Sequence, residues 1–223
     1  MRPEPPGFDR NEALSYLGWK GGPAPEDVQR TMDRCERLLR RTARPRTVWR
    51  LFDLEPDGTV AGTGFRPAGQ DIRSHLAGCG QVILMGATLG AETEALFRRT
   101  QAEDMALAVV LDACASAAVE RVCDRLCADL AAALAPRHLT GRFSPGYGDM
   151  PLSQQEELCR VLDVERRIGV VLTPSGLMIP QKSVTALIGV ADTPTQRRVR
   201  SCDGCAARDT CAYRKGGGSC DKA

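Results

Sequence analysis

From Glu103 to Ala135 the chain carries alanine, leucine and valine with no glycine or proline, and Pro136 closes the run. Alanine is the strongest helix former and proline ends helices, so one long helix is expected there, and the other elements must pack around it. Its most apolar part, Met105 to Val119, is broken by Asp112 and is too short to cross a bilayer. The first residues, Met1-Arg2-Pro3-Glu4-Pro5-Pro6, hold no apolar run of the secretory kind, so a soluble cytoplasmic chain is expected. In that setting the 10 cysteines point to reduced thiols and metal ligation more than to disulfides.

Strands and shorter helices surround this rod. Leu14 to Trp19 reads as a short helix, and Pro25-Glu26-Asp27 opens another that runs to about Arg41, with proline in its first turn and acids at its positive end. Thr47–Leu54 reads as a strand, Pro56-Asp57-Gly58 as a turn and Thr59–Phe65 as a second strand. Gln70–Ala77 fits a short helix, Gln81–Ala87 an apolar strand and Leu89–Thr100 a helix. Ser153-Gln154-Gln155-Glu156 has the form of a capping box for a helix ending at Leu162, and Arg167–Thr173 and Ser183–Val190 read as strands. The mixture predicts the α+β class, and a hydrophobic content of 43% can fill a core. Past Asp192 the composition turns basic, cysteine-rich and then glycine-rich, which predicts a main domain over 1–192 and an appendage over 193–223.

The 30 basic and 28 acidic residues nearly cancel, so net charge demands neither nucleic acid nor an acidic membrane. Aromatics are only 4%, too few for a row of base-stacking platforms. His75 and His138 are the only histidines and neither stands in a triad or zinc-protease pattern. Gly86-x-x-x-Gly90 after an apolar strand resembles a dinucleotide turn, but the G-x-G-x-x-G pattern is absent, and it is read as a tight strand-to-helix connection.

Three groups of residues remain as carriers of chemistry. The first is Arg142-Phe143-Ser144-Pro145-Gly146-Tyr147-Gly148-Asp149-Met150-Pro151. Pro145 fixes one backbone angle, glycine lets a ligand approach the main chain, Arg142 can grip a carboxylate with paired hydrogen bonds, and Tyr147 offers a flat face. Such a loop suits a small zwitterion; the plain alternative is a surface turn between two helices. The second is Glu120, a charge on the otherwise small, apolar stripe of Ala113, Ala117 and Cys123 on the long helix, with a rim glutamate as its plain alternative. The third is the set Cys202, Cys205, Cys211 and Cys220, whose spacing suits a tetrahedral zinc site or a four-iron four-sulfur cluster, against the alternative of a tail with reactive thiols. The arginines around it, Arg197 to Arg214, allow a zinc-knuckle nucleic-acid binder as another reading, with a solvated basic tail as the plainer one.

Arg142-x-x-x-Gly146-Tyr147 resembles the S-adenosylmethionine-binding signature of the cobalamin-dependent methionine synthase activation domain. The resemblance continues in order through Leu162-Asp163-Val164-Glu165, Ile168 to Ser175, Met178-Ile179-Pro180 and Ser183-Val184, with a looser likeness at Ala87 to Ala91. It implies a curved single domain with a twisted antiparallel sheet flanked by helices. It also implies that Arg142 pairs with the ligand's carboxylate, that the backbone of Ser144, Pro145 and Gly146 bonds its polar groups, and that Tyr147 stands near the transferable methyl. Glu120 would be the family's ligand-facing helix glutamate. Gly18 stands where the family tends to have an aspartate, and Pro174 where it has a glutamate. The cobalamin signature Asp-x-His-x-x-Gly is absent from this sequence, so the corrinoid would be carried by a partner methyltransferase or corrinoid protein. The function implied is reductive methylation of that partner's cobalamin, with an electron from a flavodoxin or ferredoxin or through the cysteine tail. A non-catalytic S-adenosylmethionine-binding or corrinoid-protein-binding module is the alternative.

Overall fold

The alanine-rich run forms one helix. In the computed structural model, which describes residues 7–19 and 21–194, that helix is α5 (Met105–Leu134), and its small side chains lie almost wholly buried from Leu107 to Cys123. Before it come α1 (Arg10–Tyr16), α2 (Glu26–Thr42), β1 (Arg46–Asp53), α3 (Gln70–His75), β2 (Gln81–Thr88) and α4 (Ala91–Glu103). After it come β3 (His138–Leu139), α6 (Gln154–Leu162), α7 (Val164–Ile168), β4 (Val171–Leu172), β5 (Met178–Ile179) and β6 (Ser183–Ala191).

One sheet has the strand order β1-β2-β6-β3, and β4 and β5 form a separate pair. β3 runs antiparallel to β6, with His138 opposite Ala191 and Leu139 opposite Val190. Arg44 N–H donates to the Leu89 carbonyl beyond one end of the β1–β2 pair and Leu54 N–H to the Gly80 carbonyl beyond the other, which makes that pair antiparallel as well. β2 and β6 are buried along nearly their whole length, as expected of strands covered on both faces. The α+β class, with an antiparallel sheet and flanking helices, is therefore present as the resemblance implies.

The chain divides into two compact units, and β1, β2 and β6 run through both. The first comprises 1–48, 86–130 and 163–184. In it Gly86 is hemmed in by Val48, Ile168 and Val164, so that a side-chain carbon there would lie 3.3–3.4 Å from each. Lys182 reaches Asp112 at 2.8 Å and Ser116 at 2.9 Å, which ties the start of β6 to α5. The second unit comprises 49–85, 131–162 and the residues from 185 onward. There the Cys79 and Leu76 side chains and the Thr140 methyl crowd onto Gly189 of β6, leaving no room for a larger residue.

Several expected elements differ. Thr59–Phe65 is not a strand: Gly58, Gly62 and Gly64 take positive φ, and only Val60 pairs, as an isolated bridge to Leu54. Arg167–Thr173 is split, because Gly169 at φ +72° ends α7 in the left-handed cap that glycine favours, leaving two residues for β4. The first helix starts earlier than expected, since Asp9 accepts from the N–H groups of Asn11 and Glu12. Leu89 belongs to the strand side of its turn, its N–H donating to the Lys182 carbonyl, and α4 begins after Gly90. At the start of α6 the Gln154 side chain reaches outward, accepting from Ala68 N–H and donating to the Arg66 carbonyl.

Candidate functional site

The Arg142–Pro151 segment lies in the second unit and is anchored at three levels. Phe143 is buried and exchanges two backbone hydrogen bonds with Leu187 of β6, at 2.9 and 2.8 Å, so the loop leaves the sheet edge as a short added bridge. The segment then closes on itself. Tyr147 N–H donates to the Ser144 carbonyl, Gly146 N–H to Met150 and Met150 N–H to Tyr147, at 3.0–3.1 Å. Gly146 and Gly148 carry φ of +85° and +55°, which this tight reversal requires.

The third anchor is α3. Asp149 accepts from Gln70 N–H at 2.6 Å and Asp71 N–H at 3.0 Å, occupying donors that the first turn of a helix leaves without partners. Those two N–H groups, Asp71 first, hold the Asp149 carboxyl below the usual carboxylate range. The approach is close in both directions. A side-chain carbon on Gly148 would lie 2.5 Å from an Asp71 oxygen, and one on Gly69 would lie 2.5 Å from an Asp149 oxygen.

Beneath the loop the aromatic rings form a chain. His75 and Phe143 have ring centres 5.2 Å apart, and Phe143 meets Tyr147 edge-on at 5.3 Å. The Thr140 hydroxyl accepts from Gly189 N–H at 2.8 Å and lies 2.8 Å from His75 Nε2, which in turn lies 2.9 Å from the Gly141 carbonyl. Tyr147 is therefore held at its base while 45% of it stays exposed. Arg142 and Ser144 are half-buried, Pro145 is buried and Gly146 is exposed.

The structure thus places Arg142, Ser144, Pro145, Gly146 and Tyr147 on one ordered turn. His75, Thr140 and Asp149 are added as its supports. His75 carried no motif in the sequence, and only the nearness of Asp149 to the glycines hinted at a role. The loop also offers what a polar guest requires: a half-buried guanidinium, an exposed glycine at position 146, and a held aromatic face. A further polar atom stands close in sequence to the anchor. The Thr185 hydroxyl on β6 is buried and has no hydrogen-bond partner, and strand alternation puts it on the same face as Leu187. A cavity of about 410 Å³ opens elsewhere in this unit, lined by Leu54, Asp57, Arg73, Leu76 and Cys79 among others, with none of the loop residues in its wall.

Glu120 belongs to the first unit. It is half-buried on α5, and its charge, like that of Asp124, acts on the carboxyl of Glu12 on α1. Burial first, then these two charges, push the Glu12 carboxyl up, while the Tyr16 hydroxyl, donating to it at 3.0 Å, acts the other way. The cysteines Cys202, Cys205, Cys211 and Cys220 lie outside the described residues, as does the basic stretch beside them. Among the described residues there is no group of three or more histidine, cysteine or acidic side chains able to hold a metal ion, and no helix long and apolar enough to cross a membrane.

The family described as vitamin B12 dependent methionine synthase, activation domain, matches residues 87–203. Among solved structures, the crystal structure of the MetH reactivation domain bound to AdoHcy is similar, with a TM-score of 0.60 and 18% sequence identity over 95% of this chain and 82% of that one. At that identity the likeness establishes the fold. No curated protein matches the chain.

Proposed function

The chain belongs to the activation-domain family of vitamin B12 dependent methionine synthase, and from that premise we propose that it binds S-adenosylmethionine on the Arg142–Tyr147 turn and presents its methyl group to a cobalamin carried by a partner protein. The observation that carries the reading is the turn itself. A guanidinium, an exposed glycine main chain and an aromatic face project from one short segment locked to both β6 and α3. The related reactivation domain of similar fold was crystallised with AdoHcy, the demethylated product of the same donor, which supports the choice of ligand.

Each residue then has a role within reach of its chemistry. Arg142 pairs with the ligand carboxylate through two parallel N–H bonds, a geometry that lysine cannot reproduce. The backbone of Ser144, Pro145 and Gly146 bonds the ligand's polar groups at close range. Tyr147 lays its ring along the donor and fixes the direction in which the methyl points. The protein's contribution is orientation, converting an encounter of two large molecules into a positioned displacement. In that displacement the sulfur–carbon bond breaks as the partner's reduced cobalt takes the methyl, and AdoHcy leaves. The electron that first reduces the cobalt is assigned to a flavodoxin or ferredoxin. The resemblance gives Glu120 a ligand-facing role as well, but the proposal rests on the loop alone.

The test is transfer of labelled methyl from S-adenosylmethionine to a corrinoid methyltransferase under reducing conditions. Label on the partner's cobalamin that depends on this protein supports the proposal. Binding of the donor without transfer to any corrinoid partner would instead make the chain a non-catalytic module, a reading to which the Gly18 and Pro174 departures lend support. The tail set Cys202, Cys205, Cys211 and Cys220 is proposed as a separate zinc or iron–sulfur site, decided by metal analysis and absorption spectrum after anaerobic purification.

A further inference from the structure

We propose that the cleft between the Leu54–Gly58 turn and the end of α3 is a second small-molecule site, and that it takes a free α-amino acid with an apolar side chain. Its volume of about 410 Å³ falls within the range of about 300–1,000 Å³ usual for such sites. None of the Arg142–Pro151 residues lines it, and nothing in the proposed methyl transfer uses it.

Both walls are held by their own backbone. On one side Glu55 N–H donates to the Thr59 carbonyl at 2.9 Å and Gly58 N–H to the Glu55 carbonyl at 2.8 Å, with Gly58 at φ +86° closing the turn. On the other, α3 gives way to a tight turn. There Leu76 N–H donates to the Ile72 carbonyl and Cys79 N–H to the Leu76 carbonyl, both at 3.0 Å, and Gly78 takes φ +79°. The two segments meet where Leu54 N–H donates to the Gly80 carbonyl at 2.9 Å. Their spacing is therefore set before a guest arrives, and binding carries little ordering cost.

The lining divides by chemistry. Leu54, Pro67 and Leu76 give it an apolar surface, with Pro67 buried and the two leucines half-buried. Three charged side chains share the wall: Glu55, Asp57 and Arg73. Asp57 is already engaged, accepting from Thr59 N–H at 2.9 Å and lying 3.7 Å from the Arg66 guanidinium. Among the described residues neither Arg73 nor Glu55 forms an ion pair. One cation and one anion thus remain beside an apolar wall.

That remainder selects the guest. A simple anion meets the like charge of Glu55, and a simple cation meets that of Arg73. A zwitterion satisfies both. Its carboxylate takes the paired N–H groups of Arg73, its ammonium takes the Glu55 carboxylate, and its side chain covers the leucines. Both charges stand at the exposed rim, so they choose the ligand more than they tighten it.

The experiment titrates the full chain with L-norleucine, an α-amino acid with an unbranched apolar side chain, and follows the backbone amide signals by NMR. Hexanoate, which lacks the ammonium, and pentylamine, which lacks the carboxylate, are the matched probes. The expected result is saturable movement of the Gly58, Ala77 and Gly78 amides with norleucine. Each matched probe should bind about tenfold more weakly or worse, having lost one charged hydrogen-bonded contact. Arg73→Gln and Glu55→Gln should each weaken norleucine by about the same tenfold. The wild-type titrations decide the matter by themselves should either variant fail to fold. Amides that do not move, or hexanoate or pentylamine binding as tightly as norleucine, would overturn the proposal. So would norleucine binding that Arg142→Ala abolishes, because the probe would then sit on the loop. Failure of the loop to bind a methyl donor leaves these outcomes untouched, since the cleft shares no residue with it.

Discussion

Replacing Gly148 with alanine tests whether the loop is locked to α3 as described. Gly148 has φ +55°, and an added side-chain carbon would lie 2.5 Å from one Asp71 oxygen and 3.2 Å from Asp71 Cβ and Cγ. The left-handed conformation costs a non-glycine residue about 1–2 kcal/mol. Relieving the contact requires either Asp71 to turn away or the loop to lift from α3, and forced repacking of this kind costs about 1–3 kcal/mol. The sum is about 2–5 kcal/mol, and a chain of this size loses about 2–4 °C of melting temperature per kcal/mol. A drop of at least about 4 °C is therefore expected by differential scanning calorimetry. Gly18→Ala is the matched control, because Gly18 has φ +78° but nothing within 4 Å of the added carbon. It should pay the conformational term alone, about 1–2 kcal/mol. If Gly148→Ala melts at or above Gly18→Ala, the close contact with Asp71 does not exist in solution and the argument for a locked loop fails.

Three further outcomes follow from the same contacts. Asp149→Asn leaves one acceptor oxygen for the two N–H groups of Gln70 and Asp71 and should destabilise the protein at neutral pH by about 1 kcal/mol. Because the folded carboxyl is depressed, that contribution is present above its ordinary value of about 3.9 and is lost as pH falls through the lower folded value, so urea midpoints of variant and wild type should converge on acidification. Thr140→Val leaves Gly189 N–H without its acceptor and should cost about 1–3 kcal/mol in urea titrations, whereas a surface threonine would cost almost nothing. The Glu12 carboxyl is pushed up, so the folded state binds protons more readily than the unfolded one. Stability should then rise as pH falls toward the ordinary glutamate value of about 4.3, and Glu12→Gln should be more stable than wild type at pH 7 with the gap closing in acid.

Much of the fold is legible in the sequence where one physical signal dominates. The long helix follows from an alanine-rich run with no breaker, and β2 and β6 from unbroken apolar stretches. Legibility fails where glycine competes with β-propensity. Thr59–Phe65 holds valine, threonine and phenylalanine but also Gly62 and Gly64, and positive φ at both turns the segment back before a ladder can form. Likewise Val170 and Val171 suggest a longer strand, but Gly169 is used as a helix cap. At the candidate site the loop's own residues are visible as a motif, whereas its supports are not. His75 reaches the loop from 66 residues before Gly141, and Asp149 caps a helix 78 residues earlier, separations that no local pattern encodes.

The central claim is that Arg142 and Tyr147 hold S-adenosylmethionine on one turn, and anaerobic isothermal titration calorimetry of wild type and Arg142→Ala addresses it most directly. The account predicts saturable binding of S-adenosylmethionine or AdoHcy to the wild type, and a loss of about 2–5 kcal/mol of affinity in the variant, where the carboxylate stays desolvated without its partner. Equal affinity in the two proteins, or no heat of binding in a folded wild type, would contradict it.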